Sequence, residues 1–294
     1  MKPRPLVVAV VGPTASGKTG LALQLAQDLG GEAVSADMGQ LYRRLDAGTA
    51  KPPAGTTHLV GVLEPAESSD AGSYARLARP VVDDILARHR RPVVVGGTGL
   101  YLRALLEGLA PLPPRDPALR RRLEALGLGE LQAELARRDP EAAARVDAKN
   151  LPRVVRALEV MELTGRPLSE LWRENPEPPY RTLYLGLDRP REELRARIRA
   201  RAEAMFPAMV AEVRRLVPAE LSGLEPAFRC LGYPEALACA RGELSADEGL
   251  KKTIDATSAY ARRQLTWFRR QTDVRWLAPA EARTEAARLA RGMR

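Results

Sequence analysis

Cysteine is nearly missing: the 294-residue chain has two, Cys230 and Cys239. Two cysteines cannot build a disulfide framework, nor a zinc site by themselves, so a reduced, cytoplasmic protein is expected. No run of about 18 apolar residues occurs, and no membrane span is expected. The opening Met1-Lys2-Pro3-Arg4-Pro5 leads into a short apolar stretch without a small-residue cleavage site. That stretch runs into glycine and reads as a first strand, not as a signal peptide. Asparagine occurs only at 150 and 175, and only 6 of the 46 positive residues are lysine. Such usage suits a GC-rich genome or a heat-adapted source. It also means that a lysine inside a motif is no casual choice.

The residues that are present are globular in proportion: 45% hydrophobic and 28% charged. A disordered chain is excluded, and the length allows one large domain or two ordinary ones. The net charge is +9, and it is unevenly spread, with 21 positive against 15 negative residues in 183–294. A polyanionic partner would explain that bias. A merely basic soluble protein would show it too.

Residues 6–11, Leu-Val-Val-Ala-Val-Val, form the continuous β-branched run of a buried parallel strand. A glycine turn follows, then Leu21, Leu25 and Leu29 at helical spacing. Gly31 to Asp37, His58 to Leu63 and Pro92 to Val95 read as further strands, and Tyr74 to Arg90 as a helix despite Pro80. Strand and helix alternate, so the first third predicts an α/β layer with a parallel sheet. At Pro111-Leu112-Pro113-Pro114 the pattern becomes purely helical and stays so until Pro176, Pro178 and Pro179. Arg181 to Leu187 reads as one more strand, and everything from Arg191 onward as helix. The expected organisation is a catalytic core of residues 1–112 and 183–294 interrupted by a helical insertion, 113–182.

Gly12-Pro13-Thr14-Ala15-Ser16-Gly17-Lys18-Thr19 fits the phosphate-loop pattern and sits between a strand and a helix, as that loop requires. Its glycines let backbone N–H groups close around phosphate oxygens. The helix N-terminus adds partial positive charge, Lys18 neutralises phosphate, and Thr19 is placed for Mg²⁺. The loop signals a di- or triphosphate and says nothing of the reaction. Asp37 follows the second strand and Gly96-Gly97-Thr98-Gly99 follows the fourth, so both fall on the sheet edge that carries the loop. Asp37 could bind Mg²⁺, cap a helix or act as a general base. Thr98 could bond to substrate or simply belong to a glycine turn.

These segments, with Ser35-Ala36-Asp37 followed by Gln40 and Tyr42, Gly48-Thr49-Ala50-Lys51-Pro52, Arg156 to Val160, Arg229-Cys230-Leu231-Gly232-Tyr233 and Arg263-Gln264-Leu265-Thr266-Trp267-Phe268, resemble the bacterial tRNA dimethylallyltransferases, also called isopentenyl-tRNA transferases. The matches keep family order from residue 12 to 268, nearly the whole chain. The resemblance implies a phosphate-loop-like core and transfer of a dimethylallyl group from dimethylallyl diphosphate to N6 of the tRNA adenosine just 3′ of the anticodon. It implies that the loop holds the departing diphosphate with Mg²⁺ on Thr19 and help from Arg229, that Asp37 is the general base, and that Thr98 contacts substrate. Met38, Gly39 and Gln40, with Arg120, Arg153 and Arg156 in the insertion, are then the expected tRNA contacts. Arg263, Trp267 and Arg270 share a helix face, an arrangement suited to single-stranded RNA or, equally, to a core tryptophan among solvated arginines. A monomer with no membrane association is expected.

One position departs from the family: Met38 stands where serine is usual. His58 occupies a place where the family often has a His-His pair and reads as structural, and Tyr233 and Cys230 read as packing beside Arg229. Three other readings remain. A free-adenylate dimethylallyltransferase would need neither the insertion nor the basic C-terminal third. A phosphate-loop kinase would consume ATP, and an RNA-binding module could retain an inert loop.

Overall fold

The computed structural model describes residues 4–293 apart from 175 and 218, and the side chain of Gln271 is left aside. In chain order the elements are β1 (Leu6–Val11), α1 (Lys18–Asp28), β2 (Glu32–Ser35), α2 (Met38–Leu41), β3 (Thr57–His58), α3 (Ala71–Ala87), β4 (Pro92–Gly96) and α4 (Gly99–Leu106). Five helices follow: α5 (Pro117–Glu124), α6 (Leu128–Arg138), α7 (Pro140–Arg145), α8 (Leu151–Thr164) and α9 (Leu168–Arg173). The chain then returns to the sheet with β5 (Arg181–Leu187), α10 (Arg191–Leu216), a short 3₁₀ turn at Pro226–Arg229, α11 (Tyr233–Ala240), α12 (Ala246–Gln271), β6 (Val274–Leu277) and α13 (Ala282–Gly292).

The six strands form one sheet in the order β3-β2-β4-β1-β5-β6, and every pair is parallel. β1 is central and buried along its whole length, as its unbroken apolar, valine-rich run demands. One face is filled by Val8, Val10, Val93, Val95 and Leu185 packed on Leu21, Leu25 and Ala26 of α1 and Ala282, Ala286 and Ala290 of α13. Fully burying Leu25 alone is worth about 2–3 kcal/mol. α3 is anchored at its start by Asp70 and Ser73, which cap each other's backbone N–H groups.

Three differences from the sequence reading have plain causes. β2 stops at Ser35, because Asp37 has left the ladder to cap α2. β3 is reduced to two residues, the rest of the expected run being a loop joined by a single Tyr42–Leu63 bridge. β6 was not expected at all: its four residues pair only at the sheet edge, and Arg275 and Trp276 blur its apolar pattern.

The chain separates into two compact units, one of residues 1–106 with 179–294 and one of residues 107–178. The limits lie a few residues before the proline-marked 113 and 182, because the first compact unit already ends with α4 and β5 begins at Arg181. The smaller unit has its own core of Leu123, Leu131, Leu135, Val154, Leu158, Met161, Leu168 and Leu171. Inside that core Glu159 is fully buried. Its carboxylate accepts from Arg156 Nη1 at 2.7 Å, from Arg120 Nη1 at 3.4 Å and from the backbone N–H of Asp116 at 2.8 Å. A buried carboxylate is tolerable only with partners of this kind.

Candidate active site

The carboxyl ends of β2, β4 and β1 lie side by side, with Val11 opposite Gly96 and Ser35 opposite Val95. Each strand therefore delivers its following residues to one crevice, the general location of ligand sites in open parallel sheets. After β1 the phosphate loop takes three left-handed or open backbone conformations, at Gly12 (φ 138°), Ala15 (φ 64°) and Gly17 (φ 97°). At Ala15 this geometry costs about 1–2 kcal/mol. Guanidinium groups from beyond β5 hold the strained turn: Arg197 Nε donates to the Ala15 carbonyl at 2.8 Å and Arg189 Nε to the Ser16 carbonyl at 2.5 Å. A glycine turn of this kind leading into a helix N-terminus is the arrangement that binds anions.

Lys18 is 8% exposed, and its ammonium donates to the Pro13 carbonyl at 3.3 Å. Burial pulls its pKa down from 10.5 to about 8; Asp37 opposes that shift and Arg201 adds to it. Gln264 of α12 ties the loop to the neighbouring strand end. Its Oε1 accepts from Thr14 N at 2.8 Å and its Nε2 donates to the Gly97 carbonyl at 2.9 Å. A Cβ at Gly97 would stand 2.1 Å from Gln264 Nε2, so a side chain there would displace the amide that ties the loop.

Asp37 is the N-cap of α2, its Oδ1 accepting from Gly39 N at 3.0 Å. Thr98 sits beside it, with Oγ1 accepting from Met38 N at 3.3 Å. The two strand ends are thus joined by a side chain as well as by the sheet. Asp37, Met38 and Gly39 open onto a cavity of about 310 Å³ together with Thr14 and Ala15 of the loop. One wall is a stripe of α10, with Ile198, Ala202, Met205 and Met209; Arg201 lies within it, and Cys230 with Leu231 continue the apolar surface. Thr257, Tyr260 and Arg263 of α12 and Arg229 complete the lining. Burial lowers the pKa of Arg201, with the Asp37 charge opposing it. Burial, then Asp37, push the Tyr260 hydroxyl up to about 12, with Thr98 and Gln264 opposing the rise. Burial and Asp37 push the Cys230 thiol up to about 12, so it stays protonated and unreactive.

The cavity thus has an anion-binding end, a carboxylate and an apolar wall. A family model described as IPP transferase matches residues 40–271. The chain belongs to the IPP transferase family. It is 49% identical over 284 residues to the tRNA dimethylallyltransferase of Anaeromyxobacter dehalogenans (strain 2CP-C), covering 93% of this chain and 95% of that one. It is 45% identical to the enzyme of that name from Streptomyces coelicolor, covering 98% and 95%. Among solved structures, the full-length tRNA isopentenylpyrophosphate transferase of Bacillus halodurans superposes with a TM-score of 0.73 at 33% identity, over 98% and 96% of the two chains. A eukaryotic dimethylallyltransferase acting on tRNA shares the fold, with a TM-score of 0.81 at 21% identity over 96% and 77%. Membership of the IPP transferase family makes the chain a transferase, and places its crevice on a phosphate-loop-like core.

Against that family pattern, the crevice gathers Thr14, Ala15, Asp37, Met38, Gly39, Arg229 and Arg263 at one cavity. Gln40, expected at the RNA, is instead buried. Its Oε1 accepts from Ser35 Oγ at 2.8 Å and its Nε2 donates to the Ala50 carbonyl at 3.1 Å. Trp267 packs flat on Gly99, where a Cβ would lie 2.4 Å from its ring, and meets Phe268 edge-on at 5.1 Å. In the smaller unit Arg120 and Arg156 are engaged with Glu159, whereas Arg153 is exposed on the first turn of α8. Arg201 and Tyr260 were missed as site residues, and Gln264 was read only as part of a motif. A signal for Arg201 existed: an arginine sits inside the stripe 194, 198, 202, 205, 209 of α10, where an apolar face is otherwise kept.

Proposed function

We propose that the chain transfers a dimethylallyl group from dimethylallyl diphosphate to N6 of the tRNA adenosine just 3′ of the anticodon. The observation that carries this reading is the cavity in which the phosphate loop, three arginines, a carboxylate and an apolar wall meet. Family membership and the names of the relatives support tRNA as acceptor. An adenine amine is reachable only when the base leaves the stack, so the nucleotide must swing into the cavity.

In the reaction the C1–O bond of the allylic diphosphate breaks and a bond from N6 to C1 forms. One proton of the amine passes to the Asp37 carboxylate, and the electron pair of the broken bond leaves with diphosphate. Lys18, Arg201 and Arg229 balance the charge that collects on the leaving group, where developing charge is best stabilised by fixed donors. The apolar stripe of α10 keeps water from the allylic carbon. For Mg²⁺, among the described residues no three His, Cys, Asp or Glu side chains cluster. The donor set that remains, the Thr19 hydroxyl with substrate oxygens and water, is of the hard-oxygen kind this ion accepts. Bound there, it would add positive charge against the leaving diphosphate.

Radiolabel transfer from dimethylallyl diphosphate with Mg²⁺, offered tRNA and AMP in parallel, tests the reading. Label in tRNA alone, lost when the target adenosine becomes guanosine, is the expected result. Label in AMP alone would move the chain to the free-adenylate class, and ATP consumption without label transfer would make it a kinase.

A further inference from the structure

Tyr233 and Glu212 do more than pack. Tyr233 is fully buried at the start of α11, and its hydroxyl donates to Glu212 Oε2 of α10 at 2.7 Å. The same hydroxyl accepts from Gly48 N at 3.1 Å. Glu212 Oε1 accepts from Asp46 N at 2.8 Å and Ala47 N at 3.2 Å. Three consecutive backbone donors of the loop after α2 are therefore captured by one side-chain pair from elsewhere in the chain. Gly48 fits against the pair only because it lacks a side chain: a Cβ would stand 2.8 Å from the Tyr233 ring and 2.5 Å from Met209 Cε.

The captured loop bears on the carboxylate. Thr49 packs against Gly39, where a Cβ would be 3.3 Å from Thr49 Cγ2. Gln40 Nε2 donates to the Ala50 carbonyl at 3.1 Å and to the Thr49 carbonyl at 3.5 Å. Gly39 in turn donates to Asp37. On the other side, α10 presents Arg201 to the cavity eleven residues before Glu212, about 16 Å along the helix axis.

We propose that the Glu212–Tyr233 pair is a positioning latch: it fixes the loop 46–49 so that α2 holds Asp37 at a set distance from Arg201, which α10 carries together with Glu212. The proposal rests on the transfer reaction given above. The pair bonds to residues 46–48 and to itself, with no bond to the phosphate loop, so its loss should lower turnover more than donor binding.

The test compares Tyr233→Phe, Glu212→Ala and Glu212→Gln with the full-length wild type. Tyr233→Phe keeps the ring, so it removes the bonds without emptying the core. Tyr233→Phe and Glu212→Ala are expected to lower kcat for transfer about tenfold while the Kd for inorganic pyrophosphate stays within twofold. Glu212→Gln keeps an acceptor for the two loop amides and should retain most of the activity. A double-mutant cycle with Gln40→Leu should be non-additive, because both changes cut the same path. Amide exchange at residues 46–49 and Gly39 should quicken about fivefold to tenfold in Tyr233→Phe. Unchanged kcat, additive effects, or a parallel loss of pyrophosphate affinity would overturn the latch. Should the wild type fail to transfer at all, the reaction falls, and unaltered exchange at Gly39 would by itself overturn the latch.

Discussion

Raising the pH from 7.5 to 9.5 perturbs one group of the phosphate loop more than any other. Lys18 has its pKa pulled from 10.5 to about 8 by burial, a cost to the ammonium of about 3 kcal/mol. A diphosphate in the loop would supply the missing counter-charge and return the pKa toward its ordinary value. Binding therefore takes up a proton wherever free Lys18 is neutral and bound Lys18 is charged. The sign follows: affinity is complete below pH 8 and falls as pH rises through 8 toward 10.5. With a free pKa of about 8, the protonated fraction drops about 25-fold between pH 7.5 and 9.5, and Kd should rise by about the same factor. Cys230 and Tyr260 lie near 12 and stay protonated across the window. Titration calorimetry with pyrophosphate, in two buffers of different ionisation enthalpy, reads both the Kd and the proton uptake. Lys18→Met should bind more weakly and keep only the slope that the last ionisation of pyrophosphate itself contributes. A wild-type Kd that stays flat from 7.5 to 9.5, with binding intact, would refute the assignment of Lys18 to the diphosphate.

Asp37→Ala should lower transfer about 10²–10⁴-fold with tRNA affinity nearly unchanged in a filter-binding assay; an unchanged rate removes it as base. Gln264→Ala unties Thr14 from Gly97 and should weaken pyrophosphate binding about tenfold, read by the same calorimetry. Glu159→Ala leaves Arg120 and Arg156 without their shared partner and should destabilise the 107–178 unit by about 3 kcal/mol in denaturant unfolding. Arg153→Ala should instead leave melting unchanged and reduce the salt slope of tRNA binding by about one.

How much was legible follows from how far apart the cooperating residues lie. The phosphate loop is contiguous, its context is a strand and a helix, and its conformation is set locally by Gly12 and Gly17, so sequence alone displays it. Asp37 and Thr98 are distant in the chain but each ends a parallel strand, and the parallel sheet puts strand ends together without further information. Gln264 lies 250 residues from Thr14, and nothing in its local pattern says that its amide faces a loop. The insertion arginines show a second gap. Nothing local to Arg120 or Arg156 says that both also reach the buried Glu159 that the fold brings between them. β6 was invisible because four edge residues carry too little periodicity to compete with the helices on either side.

The order of elements explains why the cavity needs the whole core. Residues before 107 carry the loop, Asp37 and Thr98, yet β1 would have an open edge, because its other neighbour is β5. The guanidiniums that hold the Ala15 and Ser16 carbonyls, Arg197 and Arg189, come from after β5, as do Arg201, the apolar stripe, Glu212 and Gln264. The sheet edge therefore supplies the loop, Asp37 and Thr98, and α10 with α12 supplies the side chains that hold and wall them. A helical unit can be set between residues 106 and 179 without disturbing either, since β5 re-enters the sheet directly beside β1. What the sheet cannot do is fix the distance between the two halves of the site. That spacing falls to α10, a single 26-residue helix that carries Arg201 to one half and Glu212 to the other.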